Sequence, residues 1–247
     1  MAFAIKRSRF LSFIKTLNNN PRSLVNSRSL QTLAYEEIKS NTDNKPYTAT
    51  AFVLHGLLGS SRNWRSFSRN LLSSLSNSPS SHEQLWVLDS VVGEVDPENT
   101  NGEVEKVLLT LKSLPPIPSR MWLVDHMMKL GFSKSLSEWI GTNLKKSGDN
   151  QTWAFNLDGA VEMFNSYREK SYWNLLENPP EGLHISIVRA ENSDRWAPDV
   201  VQQLENLASK SEGKLAVPVL PNSGHWVHVD NPNGLLDIIA PSIKILS

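Results

Sequence analysis

Two short apolar segments of this chain each lead into a loop that carries glycine and histidine. The first runs over residues 48–54 and continues into His55-Gly56-Leu57-Leu58-Gly59. The second runs over residues 215–220 and continues, after Pro221, into Asn222-Ser223-Gly224-His225-Trp226. A short apolar run that stops at a glycine-bearing turn is typical of a buried strand whose end opens into a loop. Both segments therefore predict strands that present loop residues at their ends.

Further apolar runs alternate with amphipathic segments, and this alternation predicts the fold class. Trp64, Phe67 and Leu71 recur at helical spacing, whereas residues 85–88 form a short apolar run that ends at Asp89. Strand, helix and strand in succession are the pattern of a parallel sheet with crossover helices, so we predict an α/β fold. The segments assigned in the same way are an edge strand over Gln31–Ile38, a strand over His184–Arg189, a helix over Pro198–Ala208 and a C-terminal helix over Pro232–Leu246.

The middle of the chain, over residues 91–180, has a different character. Prolines interrupt its start, and helical patterns follow over Ser119–Leu130, Ser135–Lys145 and Leu157–Leu176. Aromatic side chains in such a subdomain pack its core, and they also line an apolar pocket where the subdomain acts as a lid. We therefore predict a helical insert and leave both uses of its aromatic residues open.

Composition excludes several classes of function. The chain has 247 residues, with 25 basic and 25 acidic side chains and no cysteine. Balanced charge gives no long-range attraction for a polyanion, so we expect no nucleic-acid partner. Without cysteine there are no disulfides, no thiolate catalysis and no cysteine-ligated zinc. No apolar stretch approaches the roughly 20 residues that span a bilayer, so we expect a soluble or peripheral protein without a transmembrane helix.

We also expect no cofactor and no metal. The sequence has no glycine-rich loop of the kind that binds phosphate. His225 and His228 are spaced as a pair, but they lack the acidic partner and the long helix of a zinc protease.

The first 29 residues are basic, rich in serine and free of acidic side chains. Apolar residues such as Phe3, Phe10 and Leu17 recur among them in a pattern that can form a basic amphipathic helix. This composition is typical of an organelle transit peptide, and the alternative is a disordered basic tail without an address. We therefore expect residues 1–29 to be a transit peptide, with the mitochondrion as the first choice and the chloroplast as the second.

The order of these parts resembles the α/β-hydrolase family. Three features carry the resemblance besides the helical insert: the His55-Gly56 loop, the strand that ends in Arg189-Ala190-Glu191-Asn192-Ser193-Asp194, and Ser223-Gly224-His225-Trp226. Within the family they look most like the alpha/beta-hydrolase domain-containing protein 11 group of esterase-like proteins, in its plant branch. The resemblance implies an α/β-hydrolase fold with its core over residues 30–90 and 181–247, and a helical cap over residues 91–180.

The resemblance also implies a reaction and two of the residues that carry it. The full-length relative would hydrolyse a small-molecule carboxylic ester or thioester through an acyl-serine intermediate. His225 would be the general base, and the backbone N–H of Leu57 would be one donor of the oxyanion hole. Without the resemblance, His225 is compatible with an ordinary surface histidine, and His55-Gly56 with a simple turn at the end of a strand.

The acid that orients the histidine has two candidates. Asp89 follows the strand over residues 85–88, and Asp194 follows the strand over residues 184–189. A buried carboxylate beside the imidazole fixes its tautomer from either place. The resemblance favours Asp89, while Asp194 is also compatible with capping of the helix that starts near Pro198.

The chain departs from the family pattern where the nucleophile should be. No Gly-x-Ser-x-Gly occurs, and residues 81–84 join the first helix almost directly to the strand over residues 85–88, so that about two βα units are missing. Gly131-Phe132-Ser133-Lys134-Ser135 is the closest substitute, but we do not expect Ser133 to be a nucleophile, because the strained elbow requires small flanking residues. Our hypothesis is an internally deleted product, such as a splice variant or a gene-model error.

The missing units have consequences for folding and function. Without them, we expect poor folding unless residues 85–88 pair directly with residues 48–54, because net stability is only about 5–15 kcal/mol. The first functional hypothesis is a hydrolase-family chain with impaired catalysis. The second is a pseudo-hydrolase that binds an apolar ligand or a protein partner through the cap. The third is a hydrolase in which His225 and an aspartate activate water directly. The sequence identifies no particular protein partner.

Overall fold

The structure is a computed structural model, and the residues that it describes are 2–7, 35–39, 49–74, 83–93 and 103–243. The chain divides into two compact units, each of which is described by itself. The first unit falls within Met1–His55, Ser61–Ser90 and Trp173–Ser247. The second falls within Gly56–Ser60 and Val91–Tyr172.

The helices and strands are numbered along the chain. They are β1 (Ala2–Arg7), β2 (Ala49–Val53), α1 (Ser61–Ser74), β3 (Glu83–Leu88), α2 (Glu103–Ser113), α3 (Arg120–Lys129), α4 (Lys134–Gly141), β4 (Leu144–Ser147), β5 (Asn150–Trp153), α5 (Leu157–Arg168), α6 (Trp173–Glu177), β6 (Leu183–Ala190), α7 (Pro198–Lys210), β7 (Leu215–Ala216), β8 (Val219–Leu220), α8 (Val227–Asp230) and α9 (Pro232–Ile243).

A mostly parallel sheet forms the centre of the first unit. Its strands follow the order β2-β1-β3-β6-β7, and β8 pairs with β6 beyond the end of β7. The longest parallel pairing joins β3 to β6, from Glu83 opposite Leu183 to Leu88 opposite Val188. The prediction of an α/β fold with flanking helices is confirmed.

Strand β1 is the exception to the parallel arrangement, and it bears on the pairing named as a condition for folding and on the predicted N-terminal helix. It lies between β2 and β3 and is antiparallel to both, so residues 85–88 do not pair directly with residues 48–54. Residues 2–7 also form a strand, so the amphipathic helix predicted for the N-terminal segment is wrong at these positions. Phe3 and Ile5 belong to the residue types that favour strands, and two open strand edges outweigh a local helical pattern.

Helix α1 and strand β3 supply much of the core of the first unit. Trp64, Phe67 and Leu71 are buried, and their spacing of three and four residues places them on one face of α1. Trp86 and Leu88 alternate along β3 and pack in the same cluster. Burial of side chains of this size contributes about 1.5–3 kcal/mol each. This packing holds the end of β3 in place, and Asp89 is the next residue in the chain.

Two strand predictions differ from the structure. Residues 35–39 have no regular secondary structure, so the edge strand over Gln31–Ile38 is wrong where the structure describes it. There Glu36 accepts two hydrogen bonds from Arg65, at 2.7 and 2.9 Å.

Strand β2 forms as predicted, but it is not buried. It is the edge strand of the sheet, and the Phe52 side chain is 45% exposed.

The second unit is helical, with one β-hairpin that the sequence did not predict. The helix expected over Ser135–Lys145 ends at Gly141, and β4 pairs with β5 in the hairpin that follows. Gly148, with φ of 59°, permits the tight turn between the two strands. Among the described residues of this unit, the largest fully buried side chains are Leu123, Met127 and Ile140.

Some predictions fall on residues outside the described ranges. These are the remainder of the transit peptide over residues 1–29, the junction at Ser81 and His82, and the last residues of the C-terminal helix. The transit peptide and its organelle therefore stay predictions. None of the helices in the described ranges is both long and apolar enough to cross a membrane.

Candidate functional site

Asp89 is the buried acidic residue at the centre of the candidate site. It follows β3 directly, and its backbone N–H donates to the carbonyl of Val188 on β6, at 2.8 Å. Its φ of 45° lies in the left-handed region, which aspartate tolerates better than most residues. This conformation turns the chain at the end of the strand, and the side chain of Asp89 is fully buried.

Four donors surround the carboxylate of Asp89, two on each oxygen. Oδ1 accepts from the backbone N–H of Ala190 at 3.0 Å and from Nε1 of Trp196 at 2.7 Å. Oδ2 accepts from Oγ of Ser193 at 2.8 Å and lies 2.9 Å from Nδ1 of His225. A carboxylate has about four acceptor positions, so this buried anion is fully satisfied.

These contacts determine the protonation of Asp89. Burial raises the pKa of this carboxyl. The hydrogen bonds from His225, Trp196, the Ala190 amide and Ser193 lower the pKa by more than burial raises it, and the result is a pKa of about 2. Hydrogen bonds to an anion are stronger than those between neutral groups, which explains why they outweigh the cost of burial. Asp89 is therefore ionised at neutral pH.

The loop that carries His225 begins after β8 and is held at several points. Asn222 adopts a φ of 52°, and its N–H donates to the Glu191 carboxylate at 2.8 Å. The carbonyl of Ser223 accepts from the N–H of Asn192 at 2.9 Å, and the N–H of Gly224 donates to Asp230 at 2.9 Å. Contacts at the three residues before His225 thus hold the loop from which its ring approaches Asp89.

Asp89 and His225 form a pair in which a carboxylate orients an imidazole base. The Asp89 carboxylate only accepts hydrogen bonds, so Nδ1 of His225 carries the proton and Nε2 is left as the basic nitrogen. The His225 side chain is 41% exposed, whereas that of Asp89 is not exposed at all. Among the described residues, no side-chain hydroxyl hydrogen-bonds to the His225 ring. The pair can take a proton at Nε2.

His228, three residues after His225, has a different environment. Its ring stacks on Trp64 of α1, with ring centroids 4.0 Å apart and an interplanar angle of 23°. Burial lowers the pKa of His228 to about 4; the nearby His225 acts in the same direction, and Asp230 opposes it. His228 is therefore neutral at pH 7. The described residues contain no group of three metal-ligating side chains.

The other predicted site residues lie elsewhere. Asp194 is exposed in the turn before α7, and the Asp89 carboxylate is the one that contacts His225. Leu57 belongs to the second unit, in a turn closed by a hydrogen bond from Gly59 N–H to Gly56 O at 3.0 Å. Leu58 in that turn has a φ of 58°. Ser133 caps helix α4 by accepting from the N–H of Leu136, which is a structural role.

Ser193 and Trp196 contribute to the site although the sequence assigned them no role. They lie on either side of Asp194, the alternative acid, and supply donors to Asp89. A signal was available for Trp196, because a partly buried indole N–H normally has an acceptor. Nothing in the sequence alone named that acceptor.

Comparisons with known proteins found similarity among solved structures. No protein-family model matches the chain, and no curated protein matches its sequence. Among solved structures, the chain is similar to a marine microorganism esterase, with a TM-score of 0.51 and 17% identity over 64% of this chain and 59% of that one. It is also similar to the thioesterase domain from the curacin biosynthetic pathway, with a TM-score of 0.39 and 14% identity over 63% of this chain and 57% of that domain.

The chain spans less than two thirds of the length of these solved structures. At 17% identity the likeness to the marine esterase concerns the fold and not the roles of residues. Together with the mostly parallel sheet and its flanking helices, it assigns the α/β-hydrolase fold to this chain.

Proposed function

We propose that this chain is an α/β-hydrolase of the alpha/beta-hydrolase domain-containing protein 11 type, plant branch, that keeps its acid and base but lacks its nucleophile. The observation that carries the proposal is the 2.9 Å contact between Nδ1 of His225 and the buried carboxylate of Asp89. In this proposal Asp89 orients the imidazole, and His225 is the general base.

The substrate class follows from the same proposal. A full-length relative with a serine at Nε2 of His225 would hydrolyse a carboxylic ester or thioester, with the Leu57 N–H as an oxyanion donor. The likeness of the fold to a marine esterase supports this choice. The predicted transit peptide remains part of the proposal, with the mitochondrion preferred over the chloroplast.

Impaired catalysis is the second part of the proposal. The sequence contains no Gly-x-Ser-x-Gly. Loss of the nucleophile from a serine hydrolase costs about a million-fold in turnover, because the remaining groups provide only weak electrostatic assistance. We therefore expect no measurable turnover by the acyl-serine route.

A second candidate function is binding of an apolar ligand or a protein partner without turnover. It is favoured by large apolar side chains that the second unit exposes, among them Leu109, Met121 and Met163. Exposed apolar surface can bind a ligand or a partner protein without any catalytic group.

The test combines an ester assay with a covalent probe. Purified full chain is assayed with p-nitrophenyl acetate, p-nitrophenyl butyrate and an acyl thioester, and then treated with a fluorophosphonate probe for activated serines. His225→Ala removes the proposed base, and His126→Ala is the matched control in α3, which leaves the Asp89–His225 pair intact.

We expect no turnover above that of His225→Ala and no labelled serine. Turnover that disappears in His225→Ala but persists in His126→Ala would contradict impaired catalysis. If this turnover occurs without labelling of a serine, the explanation is water activated by the Asp89–His225 pair. Labelling at one serine would instead reveal a nucleophile. A low-field Nδ1 proton resonance of His225, absent in Asp89→Asn, tests the pair independently of turnover.

A further inference from the structure

Strand β1 lies in the interior of the sheet although it comes from a distant part of the sequence. Phe3, Ala4 and Ile5 have partners on both sides: Val53, Phe52 and Ala51 on β2, and Trp86, Leu85 and Gln84 on β3. Residues 8–48 separate β1 from β2 in the chain, so no tight turn ties β1 to either neighbour. Its position therefore depends on pairing with the two flanking strands.

The direction of β1 also distinguishes it from its neighbours. Strands β2 and β3 are both antiparallel to β1, so they run parallel to each other, and β3 is parallel to β6. In a parallel sheet, an antiparallel strand is usually found at an edge. Here the antiparallel strand β1 lies in a space one strand wide between β2 and β3. Helix α1 forms the crossover connection from β2 to β3.

An empty space at this place would leave two strand edges open. Each edge would carry backbone N–H and C=O groups without partners, which is the condition that recruits an extended segment. The segment Ala2–Arg7 supplies an apolar stretch with Phe3 and Ile5 as strand-forming residues.

We propose that the space between β2 and β3 is a strand-acceptor site, and that the segment Ala2–Arg7 of the same chain occupies it as a separable complementing strand. This site is independent of the proposed chemistry at Asp89 and His225.

Disulfide trapping tests the position of β1, since the chain has no cysteine of its own. Phe52 and Leu85 lie opposite Ala4 on its two sides. Neighbouring strands are about 4.8 Å apart, so residues 52 and 85 are separated by about 10 Å, whereas a disulfide requires Cα atoms within about 7 Å. Three double variants are compared: Ala4→Cys with Phe52→Cys, Ala4→Cys with Leu85→Cys, and Phe52→Cys with Leu85→Cys.

We expect the two variants that contain Ala4→Cys to oxidise to a monomeric disulfide, and the third variant to remain reduced. Oxidation of Phe52→Cys with Leu85→Cys alone would overturn the proposal, because β2 and β3 would then pair directly. If a variant does not fold, hydrogen exchange of the unsubstituted chain tests whether β1 is paired in the sheet. The proposal requires amides of residues 3–5 to exchange at least about tenfold more slowly than in an unstructured peptide, and unprotected exchange overturns it.

Separability is tested by complementation. Ala4→Pro removes an N–H and a compatible backbone from the middle of β1, so residues 49–53 and 83–87 should lose protection from exchange. Tyr35→Pro, in the irregular segment 35–39, is the matched control and should leave that protection unchanged.

A peptide with the sequence of residues 1–9 is then added to the Ala4→Pro chain. We expect it to restore protection in β2 and β3, even if the variant alone is unfolded, and to leave the unsubstituted chain unbound. A peptide that carries the same proline is the control. Equal results with the two peptides would show that β1 is not a separable insert and would overturn this part of the proposal.

Discussion

Acidification from pH 7 to pH 5 should destabilise the protein through His228. In the unfolded chain this histidine titrates near 6.5, whereas burial against Trp64 lowers the pKa in the folded protein to about 4. Between these values the unfolded state binds more protons than the folded state, so stability falls as pH falls. The contribution of the neutral ring is complete above pH 6.5 and is lost progressively as pH approaches 4.

The size of the effect follows from this displacement of the pKa. Each pH unit between the two values is worth about 1.4 kcal/mol, so the whole displacement corresponds to about 3 kcal/mol. The part that falls between pH 7 and pH 5 is about 2 kcal/mol, which is a substantial share of a typical net stability of about 5–15 kcal/mol.

The assay is urea denaturation at both pH values, followed by circular dichroism, for the unsubstituted chain and for His228→Phe. Phenylalanine retains a flat ring against Trp64 but takes up no proton. On acidification, the free energy of unfolding of this variant should therefore fall by about 2 kcal/mol less than that of the unsubstituted chain. His126→Phe is the matched control, since His126 stacks on Trp122 in the second unit with ring centroids 4.7 Å apart. This control should keep the full dependence on pH.

Equal losses of stability in the unsubstituted chain and in His228→Phe would refute the reasoning. A direct measurement by NMR removes the remaining ambiguity from other titrating groups. If the His228 resonance titrates near 6.5 in the folded protein, the ring is not shielded as the stack on Trp64 requires.

Two further predictions concern the Asp89 carboxylate. Asp89→Asn should lower the free energy of unfolding at pH 7 by about 2–3 kcal/mol, because an amide group would face one of the buried donors that now bind a carboxylate; unchanged urea denaturation would contradict this. Trp196→Phe removes the 2.7 Å hydrogen bond to Oδ1, so the pKa of Asp89 should rise from about 2 toward 3.8. The stability that the ionised carboxylate contributes is present above pH 3.8 and is lost as pH falls toward 2, so in Trp196→Phe this loss should be complete at a higher pH. Titration of the Asp89 side-chain ¹³C signal measures the change, and a pKa that stays near 2 would show that the indole is dispensable.

The parts of the fold that the sequence predicted well are those in which local pattern and packing agree. Trp64, Phe67 and Leu71 recur at helical spacing and do share the buried face of α1. The hairpin of β4 and β5 was missed because the helical pattern over Ser135–Lys145 extends into β4, whereas the helix ends at Gly141 and the two strands pair with each other. The position of β1 was not predictable from local pattern, since it depends on partners at residues 49–53 and 83–87.

The candidate site divides in a similar way. The sequence offered two acids for His225, and the structure places Asp89 against its ring while Asp194 is exposed. The hydrogen bonds from Ser193 and Trp196 were beyond sequence reasoning, because they connect residues more than a hundred positions from Asp89. Motif spacing identifies which groups can react, but the groups that hold them in place depend on how distant strands pair.

The interior place of β1 has a consequence for the order in which the protein is made. Residues 2–7 leave the ribosome before the residues of β3, which provide one of the two edges on which β1 depends. The nascent strand can therefore complete its pairing only after Val87 has emerged. Closing contacts this far apart in sequence is slow, so a segment that is synthesised before its partners is among the last to dock.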